Sequence, residues 1–151
     1  IKRTLSKLGD KYASDAAVEL VLGTGIIESR YKYWKLIGGG PAISYWQIEG
    51  NTAVDNCHNF LRFRSGLTDR CVHATFITKR HWVKPSVLDW STLLEINVAS
   101  AIVHCRIKFW RAPAPMPETI AGAAAYWKRW YNTEEGAGSE EEYIEQVSKY
   151  L

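Results

Sequence analysis

The stretch Val18-Glu19-Leu20-Val21-Leu22-Gly23-Thr24-Gly25-Ile26-Ile27-Glu28-Ser29 decides the reading of this chain. At helical spacing Glu28 lies one turn above Thr24 and Gly25 and two turns above Val21, on the stripe that faces the interior. Ser14 supplies the N-cap. A carboxyl on that stripe is costly to ionise, because desolvation favours the neutral acid, and the negative end of the helix dipole adds to the effect. A glutamate held protonated near neutral pH is what a general acid for glycosidic cleavage requires. A solvated or ion-paired Glu at a helix end is the commoner case, so the rest of the chain has to decide.

Working outward, the pattern is helical nearly throughout. Residues 2–11 predict a short amphipathic helix. Gly38-Gly39-Gly40-Pro41 predicts a loop or short hairpin. Asn51 predicts the cap of a helix running to about Phe63, and a further helix covers Asp69 to about Trp82, ended by Pro85. Leu93, Leu94, Ile96, Val98, Ala99, Ile102, Val103 and Ile107 mark a buried central helix. Pro113-Ala114-Pro115-Met116-Pro117 reads as a stiff extended connector. Pro117-Glu118 starts the next helix, which runs through Ala121-Gly122-Ala123-Ala124-Ala125 into an aromatic stretch. Ser139 and Glu142 form a capping box for the last helix. The expected fold is mainly α, a single domain over residues 1–151, with a short β-hairpin beside a cleft.

The 151 residues are 46% hydrophobic, enough for one core. No apolar stretch reaches 18 residues, so no membrane insertion is expected, and no apolar signal segment follows Ile1-Lys2-Arg3. Cys57, Cys71 and Cys105 are widely spaced. Their number allows a Cys57–Cys71 disulfide, while buried free thiols are the default. No CxxC or HExxH pattern exists, so neither metal nor cofactor is expected, and His58, His73, His81 and His104 read as structural or surface residues. The net charge is +3. Residues 62–84 hold Arg62, Arg64, Arg70, Lys79, Arg80 and Lys84 against Asp69, and the tail holds Glu134, Glu135, Glu140, Glu141, Glu142 and Glu145. A basic segment of this size suits an anionic polymer such as a cell-envelope glycan; no nucleic-acid motif accompanies it, and nucleic acid is not an expected partner.

Nineteen residues after Glu28-Ser29 stands Gln47, in Ser44-Tyr45-Trp46-Gln47-Ile48-Glu49; far downstream stands Ala125-Tyr126-Trp127-Lys128-Arg129-Trp130-Tyr131-Asn132. In these three elements the chain resembles the soluble lytic transglycosylases and goose-type lysozymes, whose pattern is Glu-Ser, a Gly-Leu-Met-Gln segment, then Ala-Tyr-Asn. Gln47 keeps its place. Tyr131-Asn132 matches the third element best, with Ala125-Tyr126 as the rival alignment. The chain is also similar to the short lysozyme-like transglycosylases of tailed bacteriophages through Gly38–Ala42, Gln47-Ile48-Glu49, Trp127–Thr133 and Gly136-Ala137-Gly138.

The resemblance implies a lysozyme-like fold and cleavage of the β-1,4 bond between N-acetylmuramic acid and N-acetylglucosamine. Glu28 would be the acid, with Ser29 behind it. Gln47 would bind sugar or its N-acetyl group, Tyr131 or else Tyr126 would reach the carboxyl or the substrate, and Glu49 would position a water. Asn132 and Ser44 complete the expected substrate-binding set. The partners implied are peptidoglycan glycan strands and other virion or tail proteins, and the place of action a phage virion or the host cytoplasm or periplasm during infection. Tyr45 and Trp46 replace smaller residues of the pattern and are expected to narrow the cleft, crowding out a water and favouring a 1,6-anhydro product. The alternative reading is a catalytically inactive lysozyme-fold component of a phage tail, used for structure or binding; a third is a basic helical module that binds nucleic acid through residues 62–84.

Overall fold

A computed structural model of the chain describes residues 1–35, 38–132 and 136–151. Thr133 of the aromatic motif and Glu134 and Glu135 of the acidic tail lie outside the described residues. The fold is mainly helical, 66% helix, with one two-stranded sheet among the described residues. The helices are α1 (Lys2–Ser6), α2 (Asp15–Ser29), α3 (Gly50–Asn59), α4 (Ser65–Thr75), α5 (Lys79–Val83), α6 (Val87–Ile96), α7 (Val98–Trp110), α8 (Ile120–Trp127) and α9 (Glu140–Val147). Strands β1 (Ala42–Ile43) and β2 (Ile48–Glu49) pair antiparallel, Ala42 opposite Glu49 and Ile43 opposite Ile48, and close a hairpin over Ser44–Gln47.

α7 is the axis of the molecule. Nine of its thirteen residues are buried, and it packs against α1, α2, α3, α4 and α6. A helix covered on so many sides must be apolar nearly all round, which is how its sequence reads. One hydrophobic cluster runs from Leu5 on α1 to Val147 on α9. α2 approaches its neighbours closely because it carries glycines where they touch. A Cβ at Gly25 would run into the Tyr31 hydroxyl, and one at Gly23 into the Tyr143 hydroxyl on α9.

Several boundaries differ from those the sequence suggests. The expected helix over 2–11 stops at Ser6; Gly9 takes φ 112° and a 3₁₀ turn follows at Asp10–Tyr12. α3 starts at Gly50 with Glu49 as its N-cap, so Asn51 sits inside the first turn rather than capping it. It ends at Asn59, with a separate 3₁₀ turn at Leu61–Phe63. The segment from Asp69 to Trp82 is two helices, because Phe76 turns left-handed at φ 59°. The apolar run from Leu93 to Ile107 is also two helices, parted at Asn97. That side chain does two jobs: its Oδ1 accepts from Ser100 N at 2.9 Å to cap α7, and its Nδ2 donates to Thr75 O at 2.9 Å at the end of α4. α8 starts after Thr119, whose Oγ1 caps Gly122 N, so Pro117 and Glu118 precede the helix. Ser139 Oγ caps Glu142 N as expected of α9.

Cys57, Cys71 and Cys105 are free and buried. Burial pushes the Cys57 thiol up to about 12 and those of Cys71 and Cys105 higher still. His104 is fully buried, stacked on Trp82 at 5.1 Å and edge-on to Trp90, and desolvation lowers its pKa to about 3, which keeps it neutral. Among the described residues no helix is long and apolar enough to cross a membrane.

Candidate functional site

Glu28 closes the last turn of α2. Arg30 then caps the helix in the left-handed conformation, φ 53°, and reverses the chain. The turn is tied to the hairpin by Ser29, whose buried hydroxyl donates to Tyr45 O at 2.8 Å and accepts from Tyr31 N at 3.1 Å. The Ser29 hydroxyl thus joins α2 to the hairpin, and its bonds go to backbone groups rather than to the Glu28 carboxyl.

The hairpin turn is built on two residues in the left-handed region, Ser44 at φ 70° and Gln47 at φ 48°. For residues other than glycine this conformation is uncommon and costs energy, so the turn must be held by its surroundings. Ser44 O accepts from both Gln47 N and Gln47 Nε2, the latter at 2.8 Å, and Ser44 Oγ accepts from Trp46 N. Trp46 is in the core, and its Nε1 donates to Val21 O at 2.8 Å. Tyr131 donates its hydroxyl to Trp46 O at 2.7 Å. Helix α2, the hairpin and the chain after α8 are thereby locked together at one place.

At that place lies a cavity of about 200 Å³. Glu28, Gln47, Glu49, Tyr131 and Asn132 line it together with Thr52 and Lys108. Five of the seven site residues expected from sequence are therefore gathered in one pocket from α2, the hairpin and the segment after α8. Ser44 and Tyr126 are not on its wall. Ser44 is fully buried and shapes the turn instead. Tyr126 donates to Phe109 O and Ala114 O and staples the proline connector to α7, so the rival alignment on Ala125-Tyr126 leads away from the pocket. Tyr45 and Trp46 do not crowd the cavity either: Trp46 is internal, and Tyr45 packs edge-on against Trp34 at 4.6 Å. Asn132 uses its side chain locally, its Oδ1 accepting from Lys128 Nζ and its Nδ2 donating to Ala137 O. Tyr131 meets its partner through the hairpin backbone rather than through the Glu28 carboxyl.

Two groups were not singled out from the sequence. Trp127 Nε1 donates to Glu28 Oε1 at 2.9 Å. In the sequence Trp127 is one aromatic among several; it packs tilted against Tyr143 at 5.5 Å, and its one polar atom is aimed at the Glu28 carboxyl. Lys108 enters from α7, donates to Tyr131 O at 2.8 Å and lies 4.2 Å from the Tyr131 ring centroid. Its signal was the same as that of Glu28, a charge set in an apolar helix. After Trp127 the chain widens into a π-helical turn, Lys128–Asn132, which presents Tyr131 and Asn132 to the pocket. Such turns recur at functional sites.

The electrostatics follow from this arrangement. Desolvation raises the Glu28 pKa above the usual carboxylate range, while the Trp127 N–H and the Lys108 charge pull against it. Lys108 is lowered by its own burial and supported by Glu28 and Glu49. The pocket therefore holds a carboxyl inclined to stay protonated, with two groups ready to stabilise it once the proton has left. Glu49, half-buried on β2, is a second carboxylate in the same cavity. Among the described residues no three His, Cys, Asp or Glu side chains cluster as metal ligands. Comparison of the chain with protein-family models, with curated proteins and with solved structures finds no match.

Proposed function

We propose that this chain is a lysozyme-like domain that cleaves the β-1,4 glycan strands of peptidoglycan, with Glu28 as the general acid. The observation that carries the reading is the Glu28 carboxyl itself: desolvated, raised in pKa, bonded to the Trp127 N–H and open to a cavity that also holds Gln47 and Glu49. That is the environment a proton donor needs at neutral pH. The pocket, about 200 Å³, is smaller than those that enclose drug-sized ligands, about 300–1,000 Å³, and suits a single sugar ring of a longer chain.

In the first step Glu28 protonates the glycosidic oxygen, the bond from that oxygen to C1 of the muramoyl ring breaks, and the N-acetylglucosamine leaves with a free 4-hydroxyl. In the second, its carboxylate is stabilised by the Trp127 N–H and by Lys108 and takes the proton from the C6 hydroxyl of the muramoyl ring, which closes a 1,6-anhydro bond. An internal hydroxyl gains from proximity and needs no ordered water. The competing route is hydrolysis with Glu49 activating a water, which requires two carboxyls about 6.5–9.5 Å apart for inversion.

Mass spectrometry of muropeptides after digestion of purified sacculi tests both points. Wild-type protein is expected to release anhydro ends. Glu28→Gln is expected to lower the rate by about 10²–10⁴-fold, and Glu49→Gln to leave the product unchanged. Absence of cleavage by a folded wild-type chain would leave the structural or binding component of a phage tail as the better reading. Reducing ends that disappear in Glu49→Gln would establish a hydrolase using both glutamates.

A further inference from the structure

Another cavity, of about 430 Å³, opens at the start of α7, with Ala74, Phe76, Ile96 and Val98 on its wall beside Arg3 and Lys7. Arg3 belongs to α1 and Lys7 is its C-cap. Val98 opens α7 and Lys108 stands near its other end, so the cavity lies about 15 Å along the axis from the Glu28 pocket. One wall is fixed in advance, because the bond from Asn97 Nδ2 to Thr75 O ties the α6–α7 junction to the end of α4.

Phe76 is the unusual member of this wall. It is 81% exposed, and as the C-cap of α4 its backbone is left-handed at φ 59°. Glycine takes that conformation at least cost, and an aromatic residue is a rare occupant. Neither the helix end nor the core therefore explains the ring, and strain of this kind is kept where it serves a site. Ile96, 73% exposed, and Val98 also face solvent. Apolar side chains gathered at a surface and edged by charge mark a contact surface. The charge here has one sign. Lys7 Nζ lies 4.8 Å from the Phe76 ring centroid, Arg3 is exposed one turn before it, and among the described residues no acid lines the cavity.

We infer that this cavity docks an acidic polypeptide segment of a partner protein, with apolar side chains against Phe76, Ile96 and Val98 and carboxylates on Arg3 and Lys7. In an extended segment successive side chains point to opposite sides, so alternating acidic and apolar residues reach the α1 cations and the α4–α7 wall together. A polyanion without apolar groups would leave Phe76 and Ile96 uncovered, and a purely apolar partner would cover two cations without pairing them.

The test titrates the full chain with the acetylated and amidated peptide Glu-Leu-Glu-Leu-Glu, with Glu-Ser-Glu-Ser-Glu and Lys-Leu-Lys-Leu-Lys as controls, reading the backbone amide resonances of Thr75, Phe76 and Asn97 by NMR. Saturable shifts with the first peptide are expected, with both controls weaker by about tenfold or more. Phe76→Gly deletes the ring and keeps the left-handed turn. It should bind about tenfold more weakly while melting no lower than wild type, since glycine relieves the backbone. Lys7→Glu reverses one charge and should weaken binding about five- to tenfold. The proposal is overturned if the first peptide leaves these amides unmoved, if either control matches it, or if either variant binds like wild type. A fall of more than about 4 °C in the melting temperature of Phe76→Gly would make the ring a structural one and overturn it too. So would shifts of the same amides by phosphatidylglycerol vesicles without peptide binding, which would assign the surface to a membrane. No glycan is present in this assay, so its outcome is independent of the role of Glu28.

Discussion

At the scale of single residues, the site stores a conflict in Glu28. Its folded-state pKa lies above the ordinary carboxylate range because burial disfavours the charge. The contribution this makes to folding is complete at pH values below the unfolded carboxylate pKa and is lost as pH rises through the folded value, at about 1.4 kcal/mol per unit of difference. Glu28→Gln stays neutral throughout and keeps an oxygen for Trp127 Nε1. Its melting temperature is therefore expected to match wild type near pH 4 and to exceed it increasingly toward pH 8; parallel curves would show that Glu28 ionises without penalty. Trp127→Phe removes the donor that stabilises the carboxylate. It should move the alkaline limb of the activity profile to higher pH, beyond a stability cost of about 1–3 kcal/mol for the lost buried volume. A loss of stability with an unmoved limb would reduce Trp127 to packing.

At the scale of elements, the join between α2 and the hairpin decides whether the pocket exists. Ser29→Ala leaves Tyr45 O and Tyr31 N without their partner, a loss of about 1–3 kcal/mol when the site is buried. It should also raise KM more than it lowers kcat, since Gln47 and Glu49 ride on that hairpin while Glu28 remains on α2. A pure fall in kcat would place the effect on the acid instead. This join also marks how far the sequence can be read. The apolar stripe of α2, its Ser14 cap and the inward carboxyl were legible, because they depend on spacing within one helix. The resemblance of motifs in order also named Gln47, Glu49, Tyr131 and Asn132, and the fold brings these four into one cavity with Glu28. The breaks at Phe76 and Asn97 were not legible, because in each a left-handed residue or a side-chain bond to another helix interrupts a pattern that is locally continuous. Trp127 and Lys108 were missed for a related reason: only the packing of α7, α8 and α2 turns the Trp127 N–H onto Glu28 and brings the Lys108 charge near it. Tyr126 stands apart from that cavity, because its hydroxyl is taken up by the backbone of α7 and the proline connector.

At the scale of the whole molecule, the basic segment remains on the surface after folding. Arg62, Arg64, Arg70, Arg80 and Lys84 are exposed, and Lys79 pairs with Asp69 at 2.6 Å. Such charges act over about a Debye length, 8–10 Å near physiological salt. Cleavage of intact anionic walls is therefore expected to slow as salt rises, with cleavage of short neutral glycan fragments unaffected; equal salt dependence of the two would make the segment plain solvated surface. The three sealed thiols of the core have a further consequence. Cys57 sits on α3, Cys71 on α4 and Cys105 on α7, and none reacts while its thiol is both covered and protonated. An alkylating reagent therefore acts as a clock for breathing of the native state. The order in which the three positions are labelled ranks the free energies at which their helices come away, and Cys105, on the axis behind Glu28, should be the last to be labelled.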